Sequence, residues 1–261
     1  MKRRSQLPLL NLIAAVLVVI VNALANIIPF NGQNTGAVSD AYPVLFTPSG
    51  YVFAIWGVIY VGLLAFGAHQ YLTREERNRR LQRPGLLFIL SCVCNGAWLF
   101  FWHHERFGVT LLLMLMLLCS LILIYEQLEV GRRHVSRRER WLVQVPFSIY
   151  LGWISVATIA NVSVLLYAAG WGGWGIGPQA WTILMLVIAT ALGVLMSINK
   201  GDLVYNLVLV WSFVGIALKP SSPQLVSGIA LALSAALVLV WLILRYGLPD
   251  IGTLVQGKES S

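Results

Sequence analysis

The chain has 261 residues, of which 58% are hydrophobic and only 11% charged, with a net charge of +8. Soluble domains carry about 25% charged residues, and no soluble fold of this length could hide so much apolar surface. The composition therefore points to a polytopic membrane protein, and the placement of the basic residues argues against nucleic-acid binding.

Apolar runs separated by breakers predict eight membrane-spanning helices, at about 8–29, 51–72, 84–104, 107–126, 143–169, 178–198, 203–218 and 224–245. The first follows Met1-Lys2-Arg3-Arg4, is long and lacks a clear small-residue cleavage site, so it is expected to be retained as a helix. The seventh is the shortest. Arginine clusters at 74–83 and 132–140 fall between spans, as the positive-inside rule requires of cytoplasmic segments. With the N-terminus inside, every Lys and Arg except Arg106 and Lys219 lies on the cytoplasmic side, and the C-terminus is cytoplasmic too. The expected location is a cell membrane, of a prokaryote, with lipid headgroups as natural contacts of the basic clusters. Cys92, Cys94 and Cys119 all lie in apolar runs and form neither a disulfide framework nor a zinc spacing.

Two connections differ in kind. Residues 31–50 form a long external segment without Lys or Arg and rich in turn formers, the sort of loop that is usually functional. Residues 168–178 are glycine-rich and suggest a hinge. They divide the chain into a five-helix unit, 1–170, and a three-helix C-terminal extension, 171–261. Within the extension Gly228, Ala232 and Ala236 place a small residue at every fourth position, most simply for packing inside the monomer.

Polar and aromatic residues recur at helical spacing in the five-helix unit. Asn22 and Asn26 are four apart on the first span. Phe53, Trp56 and Tyr60 follow on the second, Asn95, Trp98 and Trp102 on the third, and Tyr150, Trp153, Ala157 and Asn161 on the fifth. Chain direction puts all four stripes in the outer half, under the long loop. Any single ring could be an interfacial anchor, and any single Asn a helix-to-helix hydrogen bond. The matched set reads as an apolar pocket with a few placed polar groups for a hydrophobic small molecule. The run His103-His104-Glu105 points around a helix or turn and lacks a third metal ligand. Ionisable residues are almost absent from the spans, which weighs against an ion-coupled carrier. A transporter or permease of a small hydrophobic substrate is the alternative function. No nucleophile–base pair or phosphate loop suggests an enzyme.

These residues also carry a resemblance to the TspO/MBR family, the tryptophan-rich sensory proteins that include the translocator protein. Pro48, Tyr51-Val52-Phe53, Trp56 and Tyr60 look like the start of that family's second helix. Asn95, Trp98, Phe100 and Phe101 are similar to its third, and Tyr150, Leu151, Trp153, Ala157, Thr158 and Asn161 match the spacing of its fifth. The resemblance covers about residues 8–170 and implies a divergent branch extended at its C-terminus. It implies an all-α membrane bundle, commonly a homodimer, with a pocket beneath the first loop. The site residues would be Asn22, Asn26, Pro48, Phe53, Trp56, Tyr60, Asn95, Trp98, Tyr150, Trp153, Ala157 and Asn161. It further implies that the ligand is a tetrapyrrole such as a porphyrin or haem-like ring, with no required cofactor. Sensing, transport and porphyrin breakdown have each been proposed for the family.

Overall fold

The computed structural model describes residues 6–28, 30–73 and 79–247, and those residues are helical or in loops, with no strand among them. The helices are α1 (Leu7–Ile27), α2 (Thr35–Asp40), α3 (Ile55–Leu72), α4 (Arg79–Gln82), α5 (Gly85–His103), α6 (Phe107–Gln127), α7 (Arg137–Glu139), α8 (Val145–Ala168), α9 (Pro178–Lys200), α10 (Leu203–Ala217) and α11 (Gln224–Tyr246). Tight helical turns precede α3 at Gly50–Ala54 and link α8 to α9 at Gly173–Gly175. A wide turn, Arg140–Gln144, leads into Pro146 at the start of α8. Helices occupy the eight expected ranges to within a few residues.

Five long helices close a ring. α1 packs between α3 and α5, α5 on α6, α6 on α8, and α8 back on α3. Outside this ring α10 lies against α8, while α9 and α11 cover α10 and each other. Phe66, Phe88 and Phe147 fill the ring towards its arginine-rich end, with ring centroids 4.8–6.3 Å apart. Buried amides add polar ties, as when Asn11 donates to Gln70 (2.8 Å) and Gln70 to the Leu81 carbonyl (2.6 Å). Such bonds matter here because lipid gives helices little hydrophobic reason to associate.

Among the described residues, seven helices are long and apolar enough to cross a membrane. α10 has only 15 residues, a rise of about 22 Å. Its contacts nonetheless run the depth of the bundle. Asp202 caps its N-terminus and accepts from Tyr125, at the arginine-rich end of α6 (2.7 Å). Gly215 and Lys219, at its other end, meet Ser49 and Thr47 of the long loop. α10 is short because residues 47–54 descend to meet it: Trp211 Nε1 donates to the Val52 carbonyl at 3.1 Å.

Two sequence expectations need correction or addition. The small-residue stripe does not pack inside the monomer: Gly228 and Ala232 are exposed, and no atom lies within 4 Å of where a Gly228 side chain would begin. The buried face of α11 is Val226, Ala230, Ser234 and Leu237. In a membrane helix both faces are apolar, so periodicity does not say which one turns inward. The arginine clusters also do more than set orientation. Arg80 is buried, donates to the Leu128 carbonyl and pairs with Glu139, tying α4 to α7. Burial lowers its pKa, and the charge of Arg133 adds to that.

A side chain at position 152 would sit 3.1 Å from Val208 Cβ and 3.2 Å from the Tyr205 carbonyl, so Gly152 is what lets α10 approach α8. Gly152→Leu should separate the two helices and cost about 1–3 kcal/mol, measurable as a lowered thermal unfolding midpoint in detergent. Reporters fused at the two ends of the chain should report the same compartment. Opposite readings would mean that α10 does not cross.

Candidate functional site

At the other end of the ring the predicted stripes meet. Trp56 lies at their centre, with ring centroids 5.6 Å from Tyr60, 5.9 Å from Trp98, 6.0 Å from Trp153 and 6.2 Å from Tyr150. Phe53 belongs to the turn before α3 rather than to the helix itself, yet its ring still meets Trp153 edge-on at 5.7 Å. Such ring pairs contribute about 0.5–1.5 kcal/mol each beyond simple burial.

Behind the rings sits one amide. Asn95 is 1% exposed; its Nδ2 donates to the Tyr150 hydroxyl (2.9 Å), and its Oδ1 accepts from Asn22 (3.1 Å) and more distantly from Tyr60 (3.5 Å). Four helices, α1, α3, α5 and α8, are thus tied through a single side chain. Asn161 makes a second tie, donating to Thr110 of α6 at 3.1 Å.

The long loop forms a roof over this end. Asn34 caps α2 by accepting from the Ala37 amide (2.8 Å), which sets the short helix across the bundle. Its Val38 is fully buried. Trp102 Nε1 donates to the Thr35 carbonyl (3.1 Å), and Tyr42 donates to Glu105 (3.0 Å). Burial raises the Tyr42 pKa and the Glu105 carboxylate raises it further, so the hydroxyl keeps its proton to donate. His103 and His104 bond back to the Leu99 and Phe100 carbonyls, one turn earlier.

The roofed space is divided into two chambers. A groove of about 850 Å³ opens between α1 and α3 beneath α2; Asn22, Phe53, Trp56 and Tyr60 form its wall, with Val19 and Leu64 below. An inner cavity of only about 30 Å³ lies on the far side of Phe53 and Trp56. It is lined by Pro48, Trp98, Trp153, Ala157 and Asn161. The groove is in the size range of ligand pockets, whereas the cavity has room for a water or two. The Trp98 and Trp153 indole N–H groups are buried and have no acceptor among the described residues.

Eleven of the twelve sequence-predicted residues thus come together, in three roles of position: groove wall, inner cavity, and, for Asn95 and Tyr150, the support behind the rings. The side chain of Asn26 lies outside the described residues. Sequence reasoning did not find the Asn34 cap, the α2 roof or Thr110. The Asn34-Thr35 pair ahead of a short amphipathic run was the available signal.

A family model described as TSPO-like protein matches residues 8–243. The chain belongs to the TSPO-like protein family. The match runs through α9, α10 and most of α11 as well as the five-helix ring, and so establishes an integral membrane protein of the TspO kind. Comparison with curated proteins and with solved structures gave no match.

Asn95→Leu removes partners from Asn22, Tyr60 and Tyr150 together. It should destabilise the bundle by about 2 kcal/mol or more, read as a lower unfolding midpoint in detergent. Asn161→Leu, which loosens one tie, should cost less.

Proposed function

We propose that this TSPO-like protein binds a hydrophobic planar molecule, of the tetrapyrrole class, in the groove between α1 and α3, and acts as a sensor or carrier of it. The observation that carries the reading is the groove itself: about 850 Å³, walled by Phe53, Trp56 and Tyr60 and roofed by α2. Flat aromatic walls reward a flat ligand through offset stacking. The groove lies between two apolar helices, α1 and α3, so a membrane-dissolved ligand would reach it sideways.

The lining residues favour recognition by stacking and hydrogen bonding. Neither chamber is lined by His or Cys among the described residues, so a ring would be held without axial metal ligation. Asp40 is the charged residue at the groove and already pairs with Lys219 (3.2 Å), so carboxylates on a ligand would be directed to the open side. Asn22 and Tyr60 supply neutral polar contacts. The arginine-rich end being cytoplasmic by the positive-inside rule, the groove would lie in the outer leaflet.

Purified protein in detergent or nanodiscs should show saturable tryptophan quenching by protoporphyrin. Trp56→Leu should weaken binding by about tenfold or more, about 1.4 kcal/mol. Trp153→Leu, across the wall, should change it far less. Equal affinity in wild type and Trp56→Leu would remove the groove from consideration.

A further inference from the structure

The C-terminal unit reaches the roof of the candidate site through α10 and the turn after it. The Gly215 carbonyl accepts from both the amide and the hydroxyl of Ser49, each at 3.1 Å. Trp211 Nε1 donates to the Val52 carbonyl, and the Trp211 ring packs edge-on against Tyr51 at 5.5 Å. Lys219 Nζ donates to Thr47 Oγ1 (2.9 Å) and to its carbonyl (3.3 Å), and pairs with Asp40 at the end of α2. Lys219 is only 14% exposed, so these bonds satisfy an ammonium largely withdrawn from solvent.

The segment held in this way, residues 40–52, runs from the end of α2 into the helical turn Gly50–Ala54, and residues 41–49 between them belong to no helix. It contributes Asp40 and Gly50 to the groove and Thr47 and Pro48 to the inner cavity, and it leads directly into Phe53, in the wall between them. The fit is close. A side chain at position 215 would begin 2.1 Å from Val52 Cγ2 and 3.2 Å from Pro48 Cβ, so only glycine admits this packing. Among the described residues the ring's own hydrogen bonds to the roof reach Asn31, Thr35 and Tyr42, whereas residues 47–52 are tied by hydrogen bonds to α10 and the turn after it.

We propose that the α9–α11 unit is a clamp on the roof of the site, with Lys219, Gly215 and Trp211 as positioning residues that hold residues 40–52 and, through them, the Phe53–Trp56 wall. The proposal rests on the groove being the binding site. Displacing the clamp would let the roof lift and the two chambers merge, and a ligand that lifts the roof would in turn loosen α10. The two events share one set of bonds, so their coupling is reciprocal.

The test uses full-length protein in nanodiscs, and its first arm needs no ligand. In Lys219→Met, backbone amide exchange over residues 47–52 should speed up by about tenfold or more, with the Phe66–Phe88–Phe147 end of the bundle unchanged. Lys219→Arg, which keeps the charge and the N–H donors, should retain much of the protection. In the second arm, protoporphyrin should dissociate faster from Lys219→Met than from wild type, and Lys219→Arg should keep the slower rate. Unchanged exchange in Lys219→Met overturns the clamp, as does faster exchange with an unchanged release rate. If wild type does not bind protoporphyrin, the binding reading fails; the exchange arm then still decides whether Lys219 holds the roof. Gly215→Ala is the independent check, and normal exchange at Ser49 and Val52 in that variant would also overturn the proposal.

Discussion

The Asn95 side chain is the interaction on which the site depends. In water a buried amide is one polar group among many; in a bundle surrounded by hydrocarbon it is a fixed point, because lipid offers its bonds no substitute. By joining Asn22, Tyr60 and Tyr150 it sets the depth and rotation of α1, α3 and α8 relative to α5. The rings at neighbouring turns then have no choice but to face one another. Trp56 lands among Tyr60, Trp98, Tyr150 and Trp153 because the helices that carry them are held in register one turn away.

From this follows a division of labour along the bundle. The arginine-rich end is closed by Phe66, Phe88 and Phe147 and by ion pairs such as Arg80 with Glu139 and Lys200 with Glu126 (2.5 Å). The opposite end is packed with rings but roofed by an irregular segment. The roof is held by side-chain bonds both from the ring, through Trp102 and Glu105, and from α10 and the turn after it, through Trp211 and Lys219. The long loop, the groove beneath it and α10 behind it therefore form one mechanical unit.

Much of this was legible in the sequence, for specific reasons. Spans follow from length and apolarity, which the bilayer enforces, and α10 could be read as a span although it is short. The stripes were legible because Asn, Trp and Tyr are conspicuous in an apolar helix, and chain direction alone put them at one depth. What escaped was decided by packing between elements distant in sequence. The Phe53–Trp56 wall that splits the site in two depends on Trp98 and Trp153 arriving from other helices. The Gly228–Ala232–Ala236 stripe faces outward because Val226, Ala230, Ser234 and Leu237 pack better on α9 and α10, a choice invisible when both faces are apolar. The arginines were read as topology signals and lipid-headgroup contacts, so the buried Arg80 was missed. Lys219, one of two basic residues on the far side by the charge count, looked like an exception and is instead a contact of the site.

The account is tested most directly by an experimental structure of the protein in nanodiscs at saturating protoporphyrin. It predicts flat density in the groove between α1 and α3, stacked on Trp56 and Tyr60 beneath Thr35–Asp40. Saturating ligand with that groove empty, or density confined to the outer face of the α9–α11 unit, would contradict it.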